Sequence, residues 1–220
     1  SVGEFAAAVA AGVLDANDGI EIVLERGRLM EELVDQGAMI AVRAPEDVVH
    51  SFLADHAGLE LAAINASDRL VYSGCPREVK SFEDALRIAQ IECRRLPVDR
   101  AFHSTAIAPI IEPFRKFLAG RTFCEPVIPM LLNVRGDWAS GGEISAEYWV
   151  EQALSPVRFD RCVERLIRQG PVIGLEVGPR PVLVTQCRES EETQSVRDSI
   201  WINSLSPRQS EVESVSEVMG

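Results

Sequence analysis

The sequence predicts an α/β protein built in two parts: a layer of helices alternating with a mostly parallel sheet, and a βαββαβ segment set into it. Three observations carry the expectation. Apolar residues at helical spacing alternate with short apolar runs toward both ends of the chain. Between about residues 38 and 99 the rhythm changes to short strands around two helices. The totals fit a folded chain of 220 residues, 46% hydrophobic and 25% charged, enough to bury one sizeable core and a small second one.

Taken in order, residues 2–13 are small and apolar, which suits a buried helix closed by Gly12. A second helix starts at a cap on Asp15 or Asn17 and runs to about residue 34. Ile20, Val23, Leu24, Gly27 and Met30 lie along one side of it, with Arg26 at the border of that stripe. Next come a strand at 39–42, a helix over 45–53, strands at 59–64 and 69–73, a helix over 78–89 and a strand at 93–98. That order is the ferredoxin-like plan. Helices are expected over 106–118, 146–154 and 157–168, with strands at 128–134 and 172–177. Gly178 and Pro179 then turn the chain into a helix ending near Cys187, and a last strand falls at 200–204.

The totals also exclude function classes. A net charge of −12 leaves no basic stripe for nucleic acid and gives no pull toward anionic membranes. No apolar run approaches the roughly 20 residues of a membrane span, and residues 1–5 lack the basic start of a secretory signal, so a soluble, cytoplasmic protein is expected. Five scattered cysteines without a C-x-x-C pair suggest neither a disulfide framework nor a zinc site. The acid-rich stretch 189–192 and the tail 204–220 read as loop and linker.

Chemistry is concentrated in few residues. Ser1-Val2-Gly3-Glu4 reads either as the end of a nucleophile elbow, where a serine sits on a sharp turn into a helix, or as a serine capping that helix. A serine needs a base to attack at neutral pH, and histidine is the usual one. Of the three histidines, His50 and His56 fall on and just after a polar helix, where surface roles are expected. His103 lies just past the last strand of the inserted segment, in Arg100-Ala101-Phe102-His103-Ser104. It is a candidate base or a core histidine with one hydrogen bond.

Together these motifs resemble the acyltransferase domain of modular type I polyketide synthases, of the malonyl-CoA:acyl carrier protein transacylase kind. Ser1-Val2-Gly3-Glu4-Phe5 matches the end of the G-H-S-x-G-E elbow, and Arg26-Gly27-Arg28-Leu29-Met30 matches the helix arginine followed by glycine. Ala101-Phe102-His103-Ser104 matches the histidine stretch, Tyr148-Trp149-Val150-Glu151-Gln152 and Pro156-Val157-Arg158-Phe159 the Y-W-V and P-V-R-F runs, and Leu175-Glu176-Val177-Gly178-Pro179 the late turn.

The resemblance implies an α/β-hydrolase-like large subdomain (1–37 and 100–190), a ferredoxin-like βαββαβ small subdomain (38–99) and a linker (191–220). It implies that Ser1 attacks the thioester of an acyl-CoA while His103 takes and returns the proton. Arg26 would hold the malonyl carboxylate with its planar fork. The backbone amide of Val2 would give one oxyanion donor, and the backbone carbonyl of Gln152 would orient His103, leaving the Gln152 side chain little weight. Phe102 and Val2 point to malonyl over methylmalonyl, whereas Arg100 departs from the histidine frequent in malonyl-type domains. Malonyl-CoA is then the donor and the phosphopantetheine thiol of an acyl carrier protein the acceptor, with no metal or bound cofactor. A ketosynthase and linker are neighbouring partners, with no nucleic acid and no membrane.

The family's residues before the serine, including the second oxyanion donor, precede this stretch, so the large subdomain is expected to be incomplete and the activity belongs to the parent enzyme. Three other readings stand beside it. Ser1 could be an N-terminal nucleophile using its own amine, although such residues usually begin strands. An editing hydrolase could pass the acyl group to water without needing Arg26, and the piece could be a structural part of a synthase.

Overall fold

The computed structural model describes residues 1–190, 193, 198–206, 214 and 216. They form two compact units, Ser1–Phe159 and Asp160–Gly220.

The first unit opens with helix α1 (Gly3–Ala10), whose Phe5 and Ala8 are buried, and it closes at Gly12 with φ of 77°, a left-handed conformation that glycine adopts without strain. Helix α2 (Ala16–Leu33) starts at Asp15, whose carboxylate accepts from Asp18 N at 2.8 Å. Its buried side carries Ile22, Arg26, Leu29 and Met30. This corrects the expected stripe: Ile20 and Leu24 are 59% and 66% exposed and line an open groove with Val2, Ala6 and Val9. The core face is rotated because one of its members is an arginine, which a hydrophobic period cannot register.

Residues 38–95 follow in the order β1 (Ala38–Arg43), α3 (Glu46–Leu53), β2 (Glu60–Ala66), β3 (Arg69–Gly74), α4 (Pro76–Ile88) and β4 (Glu92–Arg95). The strands lie in the order β4-β1-β3-β2, all antiparallel, and both helices join a core of Ile40, Val42, Val49, Leu70, Tyr72, Phe82 and Leu86. His56 departs from its expected surface role. It is buried, with its ring edge-on to Phe82 at 5.4 Å and Nδ1 3.8 Å from a Glu78 carboxylate oxygen. The turn after α3 folds it inward through the bond from His56 N to Leu53 O.

The chain returns past Gly37, where a Cβ would lie 2.3 Å from Ala101 N; no side chain fits at this crossing. The next helix begins as a 3₁₀ turn (Thr105–Ile107) capped by Ser104 and becomes α5 (Ala108–Leu118). The expected strand at 128–134 is reduced to β5 (Leu131–Leu132), hairpin-paired with β6 (Asp137–Trp138), because Pro126 and Pro129 remove ladder donors and Val127 and Ile128 stay exposed. Helix α6 (Ala146–Leu154) buries Tyr148, Trp149, Gln152 and Ala153, with Trp149 stacked on Phe5 at 4.1 Å. Together with Ile110, Phe114 and Leu118 of α5, these form the main core, where each fully buried large side chain contributes roughly 1.5–3 kcal/mol. The start of the helix expected over 157–168 is instead β7 (Val157–Arg158), which pairs parallel with β2.

Helix α7 (Phe159–Ile167) leads into the second unit. There β8 (Ile173–Glu176) pairs parallel with β9 (Ile200–Asn203), and Trp201 covers Gly174. The Glu176 carboxylate accepts from Val182 N, Leu183 N and Val184 N at 2.9–3.2 Å, which caps α8 (Leu183–Glu189). Among the described residues the mostly parallel sheet is thus limited to the β2–β7 and β8–β9 pairs, a correction to the expected layer. Residues 191 and 192 of the acid-rich stretch and most of the tail lie outside the described residues. Among the described residues no helix is long and apolar enough to cross a membrane.

Candidate active site

At the start of α1 a cleft of about 360 Å³ is lined by Ser1, Val2, Phe5, Arg26, Met30, Met39, Phe102 and His103, among others. Three elements deliver the polar groups and Phe102, while β1 adds Met39. The turn into α1 presents Ser1 and leaves the Val2 amide among the helix-start donors that lack intrahelical partners. Helix α2 brings Arg26 from its core face, and the segment after Gly37's crossing brings Phe102 and His103.

His103 is buried and has φ of 57°, a left-handed conformation that costs a non-glycine residue on the order of 1 kcal/mol and is found mainly where the site requires it. Its Nδ1 lies 2.9 Å from the Ser155 carbonyl at the end of α6. A carbonyl only accepts, so Nδ1 carries the proton and Nε2 keeps a free lone pair. Burial and then the positive charge of Arg26 push its pKa down to about 3, against smaller raising effects of the Ser155 and Gln152 carbonyls. The ring is therefore neutral at physiological pH. The ring thus meets two backbone acceptors, the Ser155 carbonyl at 2.9 Å and the expected Gln152 carbonyl.

Arg26 is not a solvated surface arginine: it is 4% exposed and sits over the Phe5 ring at 5.7 Å. Its Nη1 donates to Gln152 Oε1 at 3.0 Å and its Nη2 to Ser1 Oγ at 3.4 Å, while Nε is buried without a partner. Burial lowers its pKa to about 10, opposed by Glu4, and the guanidinium remains charged. Ser1 Oγ is held by this bond and is not hydrogen-bonded to His103; such catalytic bonds often close only once substrate is present.

The Gln152 side chain matters more than expected. It is fully buried and also donates to Ser1 O at 3.0 Å and to Glu4 Oε2 at 2.9 Å. Glu4 in turn accepts from Asn133 N and Asn133 Nδ2, both at 2.9 Å, and from Tyr148 Oη. Sequence reasoning placed Glu4 and Tyr148 inside motifs but gave them no role, and it had no signal for Asn133, Ser155 or Met39. Phe102 is half-buried and packs against both the main core and the cluster of Met39, Ala62 and Val71.

An exposed serine, a buried neutral histidine and a buried guanidinium thus share one cleft. The model of the acyl transferase domain family matches residues 1–219, and the chain belongs to that family. Its relatives include phenolphthiocerol synthesis polyketide synthase type I Pks15/1 of Mycobacterium marinum, 38% identical over 222 residues that cover 100% of this chain and 10% of that protein. Among solved structures it is similar to the acyltransferase domain from the second module of the salinomycin polyketide synthase, with a TM-score of 0.88 and 34% identity, over 98% of this chain and 50% of that one. The malonyl CoA-acyl carrier protein transacylase from Clostridium perfringens shares the fold, with a TM-score of 0.83 at 21% identity, over 99% of this chain and 68% of that one. The chain therefore spans about a tenth of that polyketide synthase and half of the salinomycin domain.

Proposed function

We propose that this chain carries the nucleophile, base and carboxylate-binding arginine of an acyltransferase that moves malonyl from CoA to the phosphopantetheine thiol of an acyl carrier protein. The observation that carries the reading is the buried Arg26, with an unpartnered Nε, next to Ser1 Oγ. A buried, charged donor without a partner calls for a ligand. The Nε and Nη2 edge matches the two oxygens of a carboxylate, and malonyl carries one beside its thioester.

In this mechanism His103 Nε2 takes the Ser1 proton as Oγ attacks the thioester carbon. The Val2 N–H stabilises the oxyanion, and the CoA thiol leaves with the proton held by His103. The carrier thiol then attacks the seryl ester by the same steps in reverse. The chemistry calls for no metal or bound cofactor. Phe102 fills the space an α-methyl group would need, which favours malonyl over methylmalonyl. With this reading goes a domain layout of an α/β-hydrolase-like large subdomain, a ferredoxin-like subdomain at 38–99 and a linker at 191–220. The setting is a multidomain synthase with a carrier protein and ketosynthase as partners, in the cytoplasm.

The test is to offer the full-length protein malonyl-CoA with and without carrier protein and to follow both CoA release and malonyl on the phosphopantetheine. Carrier-dependent loading supports transfer. Release to water regardless of carrier would replace it with hydrolysis, and no release at all would leave a structural piece.

A further inference from the structure

The geometry points to Glu4 as a positioning residue that aims Arg26 at the substrate carboxylate through the side chain of Gln152; the inference rests on the reading of Arg26 as the carboxylate binder. An ionised carboxylate has room for about four hydrogen bonds, and Glu4 receives four: from Tyr148 Oη and Asn133 N on Oε1, and from Asn133 Nδ2 and Gln152 Nε2 on Oε2. Both hydrogens of the Gln152 amide are then committed, one to Glu4 Oε2 and one to Ser1 O. Its Oε1 is left facing Arg26 Nη1.

The reversed amide would set oxygen against the Glu4 and Ser1 oxygens and NH₂ against the guanidinium, a loss at every contact. Glu4 therefore selects one orientation of Gln152. That orientation anchors Nη1 and leaves Nη2 to Ser1 Oγ and Nε without a protein partner. It does this at a distance: Glu4 and Gln152 are 4% and 1% exposed, and neither is among the residues lining the cleft. Glu4 also faces Arg26 with opposite charge, which helps to keep the buried guanidinium protonated.

The test compares Glu4→Gln, Gln152→Met and Arg26→Ala in the full-length protein, measuring acylation of Ser1 by malonyl-CoA and by acetyl-CoA, which has no carboxylate. A displacement of about 1 Å can cost on the order of 100-fold. The expected result is a malonyl-to-acetyl preference in kcat/KM lowered by about 10- to 100-fold in Glu4→Gln and in Gln152→Met. Adding Glu4→Gln to Arg26→Ala should lower it no further. If Glu4→Gln fails to fold, Gln152→Met carries the test, since it leaves the Tyr148 and Asn133 bonds to Glu4 in place. Equal losses for both substrates would mean that Glu4 is only structural and would overturn the inference. A wild-type protein without malonyl preference, or one whose preference survives Arg26→Ala, would overturn the underlying reading of Arg26 instead.

Discussion

Replacing Arg26 with lysine keeps a positive charge but removes the fork, so it separates geometry from charge. In the structure the guanidinium divides its work, with Nη1 on Gln152 Oε1, Nη2 on Ser1 Oγ and Nε free. A single ammonium cannot satisfy Gln152 and still grip two carboxylate oxygens. The variant loses at least one charge-assisted hydrogen bond, worth about 1.5–3 kcal/mol. At about 1.36 kcal/mol per decade, kcat/KM for malonyl-CoA should fall between about 10- and 150-fold. A pH signature comes with it. Burial brings Arg26 down to about 10, and the same desolvation would push a lysine there below its ordinary value. The residual malonyl activity of Arg26→Lys should therefore fade as pH rises across the assay range, whereas the wild type holds. The assay is the initial rate of CoA release across pH 6–9 by the full-length protein. A variant within threefold of wild type and with the same pH profile would refute the fork argument.

Further outcomes follow from other groups. Because burial and Arg26 hold His103 down to about 3, the acid limb of Ser1 acylation should lie well below pH 6.5; a midpoint near 6.5 in the pH–rate profile would contradict this. The native state resists protonating that ring while the unfolded chain does not, so stability should fall as pH drops from 6.5 toward 3, by up to about 1.4 kcal/mol per pH unit. That slope, read by urea titration, should be smaller in His103→Gln. Gly37→Ala places a methyl against the Ala101 backbone and should cost about 1–3 kcal/mol of stability, seen as a lower Tm, together with activity lost through the displaced His103 segment. Phe102→Ser should raise the share of methylmalonyl in a competition assay by about 10-fold, since one methyl is worth about 1–3 kcal/mol; an unchanged ratio would remove Phe102 from the specificity argument.

The inserted strands were legible because alternating half-buried residues and turn signals mark each one, and their pairing follows from a core of ordinary hydrophobics such as Ile40, Leu70 and Phe82. Ser1, Arg26 and His103, which meet in the cleft, stand out in the sequence through a resemblance of motifs. What failed was whatever depends on a polar group standing in a core. Arg26 breaks the helical period, so the apolar stripe runs through Ile20 and Leu24, which are exposed, and leaves at its border an arginine that is buried. The Gln152 side chain was set aside because its value lies in partners more than a hundred positions away in sequence, Glu4 and Arg26. Ser155 had no signal, since its contribution is a backbone carbonyl. The strand at 128–134 is shorter than its mostly apolar residues suggest because Pro129, with Pro126 just before it, removes ladder donors.

The central claim is that Ser1 is acylated by a carboxylate-bearing acyl group. The most direct measurement is the mass of the Ser1 peptide after the full-length protein meets malonyl-CoA and methylmalonyl-CoA in competition, beside a Ser1→Ala control. The account predicts a single malonyl adduct on Ser1, favoured over methylmalonyl and missing from the control. A folded protein that forms no adduct, or one that carries it on another residue, would contradict it.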